Sequence, residues 1–313
     1  MATLEGWAIE TDYLFLDHVP GGADHTYVVS SEGTRFECGG RNQGGRLIVS
    51  GQGSHKLAKA LSRNNYGGMV YGLTGVCHQE ANRVLYPCGR NVHRAKGAGW
   101  SYTVYGIYGK PHEAWLAWKT ECEIETGTIP GPYGIPIPYG IPPILGIATP
   151  RWPHFATNPT LNLVDVASAN DLVLPVGLDP AVLEFADSEW ADKEMFTVTL
   201  LMEAVGAAPE AIQNAELETF LKIRSDGRIS DAQIMSVFRI RDEFDQQRRR
   251  LVAALTNGEH TSHDFIRNHV NQMAAEFTAI ERVLGPRLYG DIYDLPPDHS
   301  PAILNPRAFG RSE

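Results

Sequence analysis

The sequence contains no run of 18 apolar residues, so no segment is predicted to form a membrane-spanning helix. Residues 1–19 lack a basic stretch followed by a continuous apolar stretch, which argues against a secretory signal peptide. Basic residues are fewer than acidic ones, 27 against 37, and the formal net charge is −10. This deficit argues against nucleic acid or an anionic membrane as the partner, and we expect a cytoplasmic protein.

Cysteine is also scarce, with only Cys38, Cys77, Cys88 and Cys122. No two of them have C-x-x-C spacing, and they do not cluster with histidines as zinc ligands do. Without a secretory context they do not indicate a disulfide framework. We therefore expect neither a metal nor another cofactor, and the remaining question is whether one thiol is a nucleophile.

The two halves of the chain differ in composition. Residues 1–180 contain 25 of the 31 glycines, with 13 basic and 15 acidic residues, whereas residues 181–313 contain 6 glycines, with 14 basic and 22 acidic residues. Residues 129–153 contain eight of the 20 prolines, a density that no helix interior or central strand tolerates. We predict a first domain over 1–128, a proline-rich strap or linker over 129–180, a helical region over 181–295 and a C-terminal tail over 296–313.

The first domain has the pattern of short strands mixed with short helices. Apolar and β-branched runs predict strands at 13–16, 25–29, 35–38 and 47–49. Helical patterns follow at 54–61 and 76–85. Alternating patterns predict further strands at 100–108 and 114–118. Together with the helical region, these elements indicate an α+β fold.

The helical region carries clear helix-start signals. Ser230 and Gln233 form an S-x-x-Q capping box before a helix that runs to Asn257, and Thr261 and Asp264 form a second box. The short loop between the two helices predicts an antiparallel helical hairpin. The second helix has an apolar stripe consisting of Ile266, Val270, Met273, Phe277, Ile280 and Leu284. We interpret the stripe as core packing, with a dimer seam as the functional alternative.

Two further helices are predicted upstream of this hairpin, at 188–205 and 209–223. Gly285 and Pro286 are predicted to end the hairpin. Three histidines near the second capping box are interpreted as part of a solvated face: His260, His263 and His269.

The strongest chemical signal is Cys77, in the sequence Thr74-Gly-Val-Cys-His-Gln-Glu-Ala-Asn-Arg83. Cys77 falls in the first turn of a predicted helix, where free backbone N–H groups and the positive end of the helix dipole favour a thiolate. The same N–H groups could stabilise an oxyanion, and the small Gly75 leaves room for a substrate carbonyl. Cys77 is therefore the candidate nucleophile.

A thiol nucleophile needs a base, which is normally histidine. The adjacent His78 diverges from Cys77 by about 100° around the helix, so the base must come from elsewhere. His25 begins a predicted strand and is the first choice, because a strand end beside a helix N-terminus has the required geometry. His112 and His93 are the alternatives.

These residues resemble a known superfamily. A strand that begins with histidine, followed by a cysteine that opens a helix of the form C-x-x-x-A-N, is similar to the circularly permuted branch of the papain-like (NlpC/P60-type) cysteine hydrolases. The resemblance covers about residues 8–125. It implies an antiparallel half-barrel sheet with a nucleophile-bearing helix over 1–128, with Cys77 as nucleophile and His25 as base. Asn42 would orient the imidazole, with Gln43 and Glu37 as other choices.

The opposite chain order, cysteine first and histidine later, resembles the transglutaminase-like proteins. Cys77 would then pair with His112, which opens the His-Glu-Ala-Trp sequence ending at Trp115 and is expected to lie on a strand. The acid of that triad would be Glu121, Glu123 or Glu125.

We thus predict a cysteine-dependent hydrolase or acyltransferase that acts on an amide or ester bond of a peptide or small molecule through a thioester. The alternative is a non-catalytic binding or assembly protein that forms a homo-oligomer through its C-terminal helices. The stretch from Leu47 to Gly53 imitates a phosphate-binding loop, but it lacks the third glycine and the βαβ unit of a dinucleotide site.

Overall fold

The computed structural model describes residues 1–10, 23–36, 38, 40, 42–63, 68–130, 136–138, 191, 194–203, 205–294 and 296–298. The predicted strand at 13–16, most of the proline-rich strap and nearly all of the tail lie outside the described residues. The fold is mixed α and β, with a small antiparallel sheet and a larger set of helices.

The main sheet has four antiparallel strands in the order β3-β2-β1-β4. They are β1 (Ala2–Glu10), β2 (Asp24–Ser30), β3 (Arg35–Phe36) and β4 (Arg46–Gly53). The predictions of β2, β3 and β4 are confirmed, whereas β1 was not predicted. Its residues alternate strictly between buried and partly exposed positions, which is the period of a half-buried strand.

One face of the sheet packs against helices. In the register of β1 with β2, Gly6 lies opposite Val28 and Ala8 lies opposite Thr26, and these four residues share the buried face. A Cβ atom at Gly6 would lie 2.6 Å from Val49 Cγ1 and 3.2 Å from Leu85 Cδ1. The missing side chain therefore lets a helix come close to the centre of the sheet.

Two short helices follow the sheet as predicted. Helix α1 (His55–Leu61) begins after Ser54, whose hydroxyl accepts the N–H of Leu57 at 3.2 Å. Helix α2 (Cys77–Leu85) lies against β2 and β1 and continues into a 3₁₀ turn, Tyr86–Cys88. Every residue of α2 is buried.

The strands predicted at 100–108 and 114–118 are wrong, because these segments form α3 (Ala98–Tyr105) and α4 (His112–Thr126). All of α3 is buried, so its sequence lacks the polar face that marks an amphipathic helix. Its β-branched and aromatic residues then imitate a strand. Within the described chain, every strand of the main sheet precedes Cys77.

A short antiparallel ladder begins the proline-rich region. Strand β5 (Thr128–Pro130) pairs with β6 (Pro136–Pro138), so this part of the predicted strap is extended. Residues 194–203 are helical, within the helix predicted at 188–205.

The C-terminal part consists of α5 (Pro209–Arg224), α6 (Asp231–Thr256), α7 (Ser262–Leu284) and α8 (Pro286–Tyr293). Both capping boxes form, and α6 packs along α7 in the predicted hairpin. The apolar stripe of α7 is buried except for the partly buried Ile266, so it packs in the core of this chain. Helix α8 was not predicted, because Gly285 and Pro286 end α7 but also begin α8.

The helical region and the first 128 residues share one apolar core. Polar bonds reinforce it: Trp100 Nε1 donates to Tyr289 Oη at 3.1 Å, and Lys110 Nζ lies 2.6 Å from Asp245 Oδ2. Among the described residues, no helix combines the length and the apolar character needed to cross a lipid bilayer.

Candidate functional site

The first turn of α2 places Cys77 at the centre of the molecule. Val76 precedes it in an extended conformation, and the Val76 N–H donates to Gln79 Oε1 at 3.1 Å. Within the described chain, the backbone N–H groups of Cys77 and His78 have no oxygen acceptor. The helix therefore begins with N–H groups that no oxygen accepts beside the thiol, and the His78 N–H acts on the Cys77 sulfur.

The sulfur of Cys77 faces β2. Its Sγ lies 4.0 Å from the carbonyl oxygen of Asp24. Burial raises the pKa of the thiol, and this effect outweighs the N–H and hydroxyl of Thr26 and the N–H of His78, which lower it. The N–H groups act in the predicted direction, but burial penalises the charged form more than these donors stabilise it.

Asp24 fixes the beginning of β2 beside this helix. Its carboxylate accepts both terminal nitrogens of Arg46, at 3.1 and 2.5 Å, and the backbone N–H of Lys96 at 2.7 Å. The Asp24 N–H in turn donates to the Lys96 carbonyl at 2.9 Å. These bonds hold the strand end against α2.

His78 is held in one neutral tautomer. Its Nε2 lies 2.9 Å from the Asp24 carbonyl, which can only accept, so Nε2 carries the proton. Nδ1 is then an acceptor and lies 2.9 Å from the Ser101 hydroxyl, which also lies 3.0 Å from the Ala98 carbonyl oxygen. Burial lowers the pKa of the ring to about 4. The proton on Nε2 is thus committed to the backbone, which agrees with the prediction that His78 is not the base.

His25 lies on β2 between Asp24 and Thr26, opposite Ile9 of β1. Because side chains alternate along a strand, Asp24 and Thr26 lie on the face of the sheet that contacts α2. The Cβ of His25 therefore lies on the opposite face. The imidazole lies against Gly40, where an added Cβ would be 2.6 Å from Cε1 and 2.8 Å from Nε2. Its charge nevertheless lowers the pKa of both His78 and Glu80, so the ring lies within electrostatic reach of α2.

Glu80 is a member of the site that the sequence reasoning missed. It lies one turn after Cys77 on α2, and it is only 6% exposed. Burial raises its pKa to about 8; the charge of Cys77 adds to this, whereas those of His25 and Arg83 oppose it. Its Oε2 atom has no hydrogen-bond partner within the described chain. The i, i+3 spacing from Cys77 was visible in the sequence, but the burial was not.

The other candidates for the base lie in different surroundings. His93 is buried in the loop after the 3₁₀ turn, with its N–H and Nδ1 bonded to Asn91 Oδ1 at 3.0 and 3.1 Å. His112 is the first residue of α4 and not part of a strand, and burial lowers its pKa to about 3. The strand expected from the transglutaminase-like alternative is therefore wrong, and its three acids also lie on α4: Glu121, Glu123 and Glu125.

The residues expected to orient the imidazole are less well defined. Asn42 is partly exposed after β3, and its carbonyl accepts from Arg35 at 2.9 Å. Gln43 is exposed, and Glu37 lies outside the described residues. The role of Asn42 stays a prediction.

Two further predictions can be compared with the structure, namely the solvated face around His269 and the arrangement of possible metal ligands. His269 is buried and lies 3.2 Å from Tyr105 Oη, so the prediction that it belongs to a solvated face is wrong. In the part of the chain that the structure describes, no three side chains of His, Cys, Asp or Glu converge as metal ligands would.

Comparisons with known proteins return no relative. No family model matches the sequence, and neither the curated proteins nor the solved structures yield a match. The residues around Cys77 are therefore the basis for assigning a function.

Proposed function

We propose that the protein is a cysteine-dependent hydrolase or acyltransferase that acts on an amide or ester carbonyl through a thioester at Cys77. The observation that carries the proposal is the position of Cys77 at the open N-terminus of α2. Its sulfur faces β2, and the N–H groups of Cys77 and His78 have no oxygen acceptor in the described chain. Backbone N–H groups at a helix N-terminus beside a thiol are the arrangement that stabilises an oxyanion during acyl transfer.

In the proposed reaction, the thiol proton passes to His25 as the sulfur attacks the carbonyl carbon. The carbonyl electron pair moves to oxygen, which the N–H groups of α2 stabilise. Collapse of this intermediate expels the leaving group, which takes the proton from His25, and leaves a thioester on Cys77. Water or an amine then releases the acyl group by the same steps.

The raised pKa of Cys77 determines how this site works. A buried thiol is not a standing thiolate at neutral pH, so proton transfer has to accompany the attack. A base close to α2 is therefore essential, and His25 supplies one whose charge already influences Glu80 and His78. The chain order, with the histidine strand before the cysteine helix, is that of the circularly permuted papain-like branch.

Alkylation with iodoacetamide tests the proposal, with each cysteine quantified by peptide mass. All four cysteines are buried, so access alone does not distinguish them, and Cys88 is the matched control on the 3₁₀ turn that follows α2. We expect Cys77 to react at least about tenfold faster than Cys88 at pH 7.5, because a base beside α2 accepts the thiol proton as the sulfur attacks. Equally slow labelling of all four cysteines contradicts the proposal.

Two variants test His25 in the same assay. His25→Ala deletes the base and is expected to slow labelling of Cys77 severalfold without changing that of Cys88. Gly40→Ala keeps the imidazole but forces it to move, since the new Cβ would lie 2.6 Å from Cε1. It should therefore slow Cys77 in the same direction. If both variants leave Cys77 unchanged, His25 is not the base.

A further inference from the structure

Glu80 has a buried carboxyl oxygen that the steps above do not use. Oε2 lacks a hydrogen-bond partner in the described chain, although more than nine-tenths of the residue is buried. An unsatisfied buried polar atom is costly, and it indicates a strained functional group or the place of an absent ligand. Glu80 lies one helical turn from Cys77, where side chains three residues apart are neighbours.

The charges around Glu80 determine the form in which it can help the reaction. The groups that act on it are Cys77 and Arg83 on its own helix and His25 on β2. The influence of Cys77 is the largest of these and has the sign of repulsion between two anions. A carboxylate at Glu80 would therefore oppose the thiolate that attack requires, whereas a neutral carboxylic acid would not.

We propose that Glu80 is a catalytic residue that works in its protonated form and donates a hydrogen bond to the substrate carbonyl oxygen while Cys77 attacks the carbonyl carbon. This inference rests on the proposed function. The Glu80 O–H bond stays intact throughout: the carbonyl electron pair moves to the oxygen that Glu80 holds, and it returns when the leaving group departs. The proton from Cys77 passes to His25 and then to the leaving group.

The inference has a consequence for pH. Burial raises the pKa of Glu80 to about 8, so the carboxyl is protonated at neutral pH and ionises as the pH rises through this value. Ionisation removes the donor and places a negative charge beside the sulfur. Acyl transfer should therefore fall above about pH 8, at a pH where an ordinary thiol would become more reactive.

The first experiment measures Cys77-dependent hydrolysis of p-nitrophenyl acetate, with the Cys77→Ser rate subtracted. Glu80→Gln keeps a donor at every pH, so it should retain the wild-type rate at pH 7 within about threefold and lose the decline above pH 8. Glu80→Ala removes the donor and should lower the rate about 100-fold, the cost of one oxyanion donor. Glu216→Gln is the matched control, because Glu216 is also buried with its pKa raised to about 8 but lies on α5, where it bonds to Thr199.

Two results of this experiment overturn the inference. If Glu80→Gln is as slow as Glu80→Ala, the site needs a carboxylate and not a neutral acid. If Glu80→Ala, folded as judged by circular dichroism, is as fast as the wild type, Glu80 has no part in the reaction.

If Cys77→Ser hydrolyses the ester as fast as the wild type, the proposed function is contradicted. A second experiment then tests the placement of Glu80 separately. The pH dependence of iodoacetamide alkylation reports the pKa of Cys77 without any acyl chemistry. Replacing Glu80 by glutamine removes the repelling charge and should lower the pKa of Cys77, so that alkylation at pH 9 becomes several times faster. An unchanged alkylation profile in Glu80→Gln would show that the two groups are not coupled and would overturn the placement of Glu80 at the sulfur.

Discussion

Among the described residues, two clusters of buried charges differ in how well their charges are paired. Between the first 128 residues and the helical hairpin, Arg248 of α6 contacts Asp245 and lies 2.5 Å from Glu276, while Asp245 also contacts Lys110 at 2.6 Å. We call these four residues the seam network. Each charge has an opposite charge within bonding distance.

Helix α2 presents the contrary case. Arg83 is almost fully buried, and its Nε donates to the Tyr108 carbonyl at 2.6 Å while its guanidinium lies 4.9 Å from the centre of the Trp115 ring. Its Nη1 atom and Glu80 Oε2 both lack a partner in the described residues. Burial lowers the pKa of Arg83 to about 9 and raises that of Glu80 to about 8. We place the site on α2 and not at the seam network because Glu80 lies one turn from Cys77, and a titratable group with a shifted pKa beside a nucleophile is typical of a functional site.

The largest expected effect comes from breaking the seam network. Arg248→Met leaves Glu276 buried without its cation, so we expect a loss of about 3–5 kcal/mol in the free energy of unfolding. Urea denaturation followed by circular dichroism measures the loss. The double variant Arg248→Met with Glu276→Leu removes both charges and should recover most of it. A loss below about 1 kcal/mol for the single variant would show that the network does not hold the two regions together.

The next largest effect is on the pH dependence of stability. Burial lowers the pKa of three histidines to between about 3 and 4: His78, His112 and His269. Burial also raises the pKa of three acids to between about 7 and 8: Glu80, Glu123 and Glu216. Below about pH 6.5 unfolding takes up protons on the histidines, whereas above about pH 4.5 it releases protons from the acids.

The two groups therefore oppose each other between about pH 4.5 and 6.5, where stability should depend less steeply on pH than it does above this range. Above this range only the acids contribute, and stability should fall until about pH 8, by at most about 1.4 kcal/mol per pH unit for each acid. Thermal unfolding from pH 4 to 9 measures the profile. Glu80→Gln should make the fall above pH 6.5 shallower, and an unchanged slope in this variant would contradict the raised pKa of Glu80.

A smaller effect is expected when the unpaired arginine of α2 is changed in the same way as the paired one of α6. Arg83→Met removes one hydrogen bond and one contact with an aromatic ring but leaves no carboxylate without its partner. We expect a loss of about 1 kcal/mol, a third or less of that for Arg248→Met in the same urea experiment. Equal losses for the two variants would remove the distinction between the two clusters.

Several elements could be predicted because their signals are local. The capping boxes at Ser230 and Thr261 determine where two helices begin, and the apolar run at 25–29 is sufficient to predict β2. Helix α3 could not be recognised in this way, because it is surrounded by other elements and shows no polar face. Helix α4 did have a signal, because its buried residues have the spacing of one helix face. Strand β1 also has a local signal, because its buried and partly exposed residues alternate, but it was not predicted.

The candidate site could be predicted only in part, for a related reason. The position of Cys77 at a helix N-terminus follows from the local sequence, and the structure has it there. The sulfur of Cys77 lies against β2, which is about 50 residues away in the chain, and burial raises the pKa of both Cys77 and Glu80. Desolvation is a property of tertiary packing, so no local pattern indicates its size.

The smallest effect concerns the ends of two helices. Helix α7 begins with a complete capping box, in which the Thr261 hydroxyl accepts the Asp264 N–H at 3.1 Å and an Asp264 carboxylate oxygen accepts the Thr261 N–H at 3.3 Å. Helix α2 begins after Val76, whose side chain cannot accept a hydrogen bond, so no side chain caps its first N–H groups. Thr261→Ala should therefore cost about 1 kcal/mol of stability, measured by urea denaturation, and leave alkylation of Cys77 unchanged. A changed alkylation rate of Cys77 in this variant would show that the N-terminus of α7 is coupled to that of α2. It would contradict our inference that the two helix termini act independently.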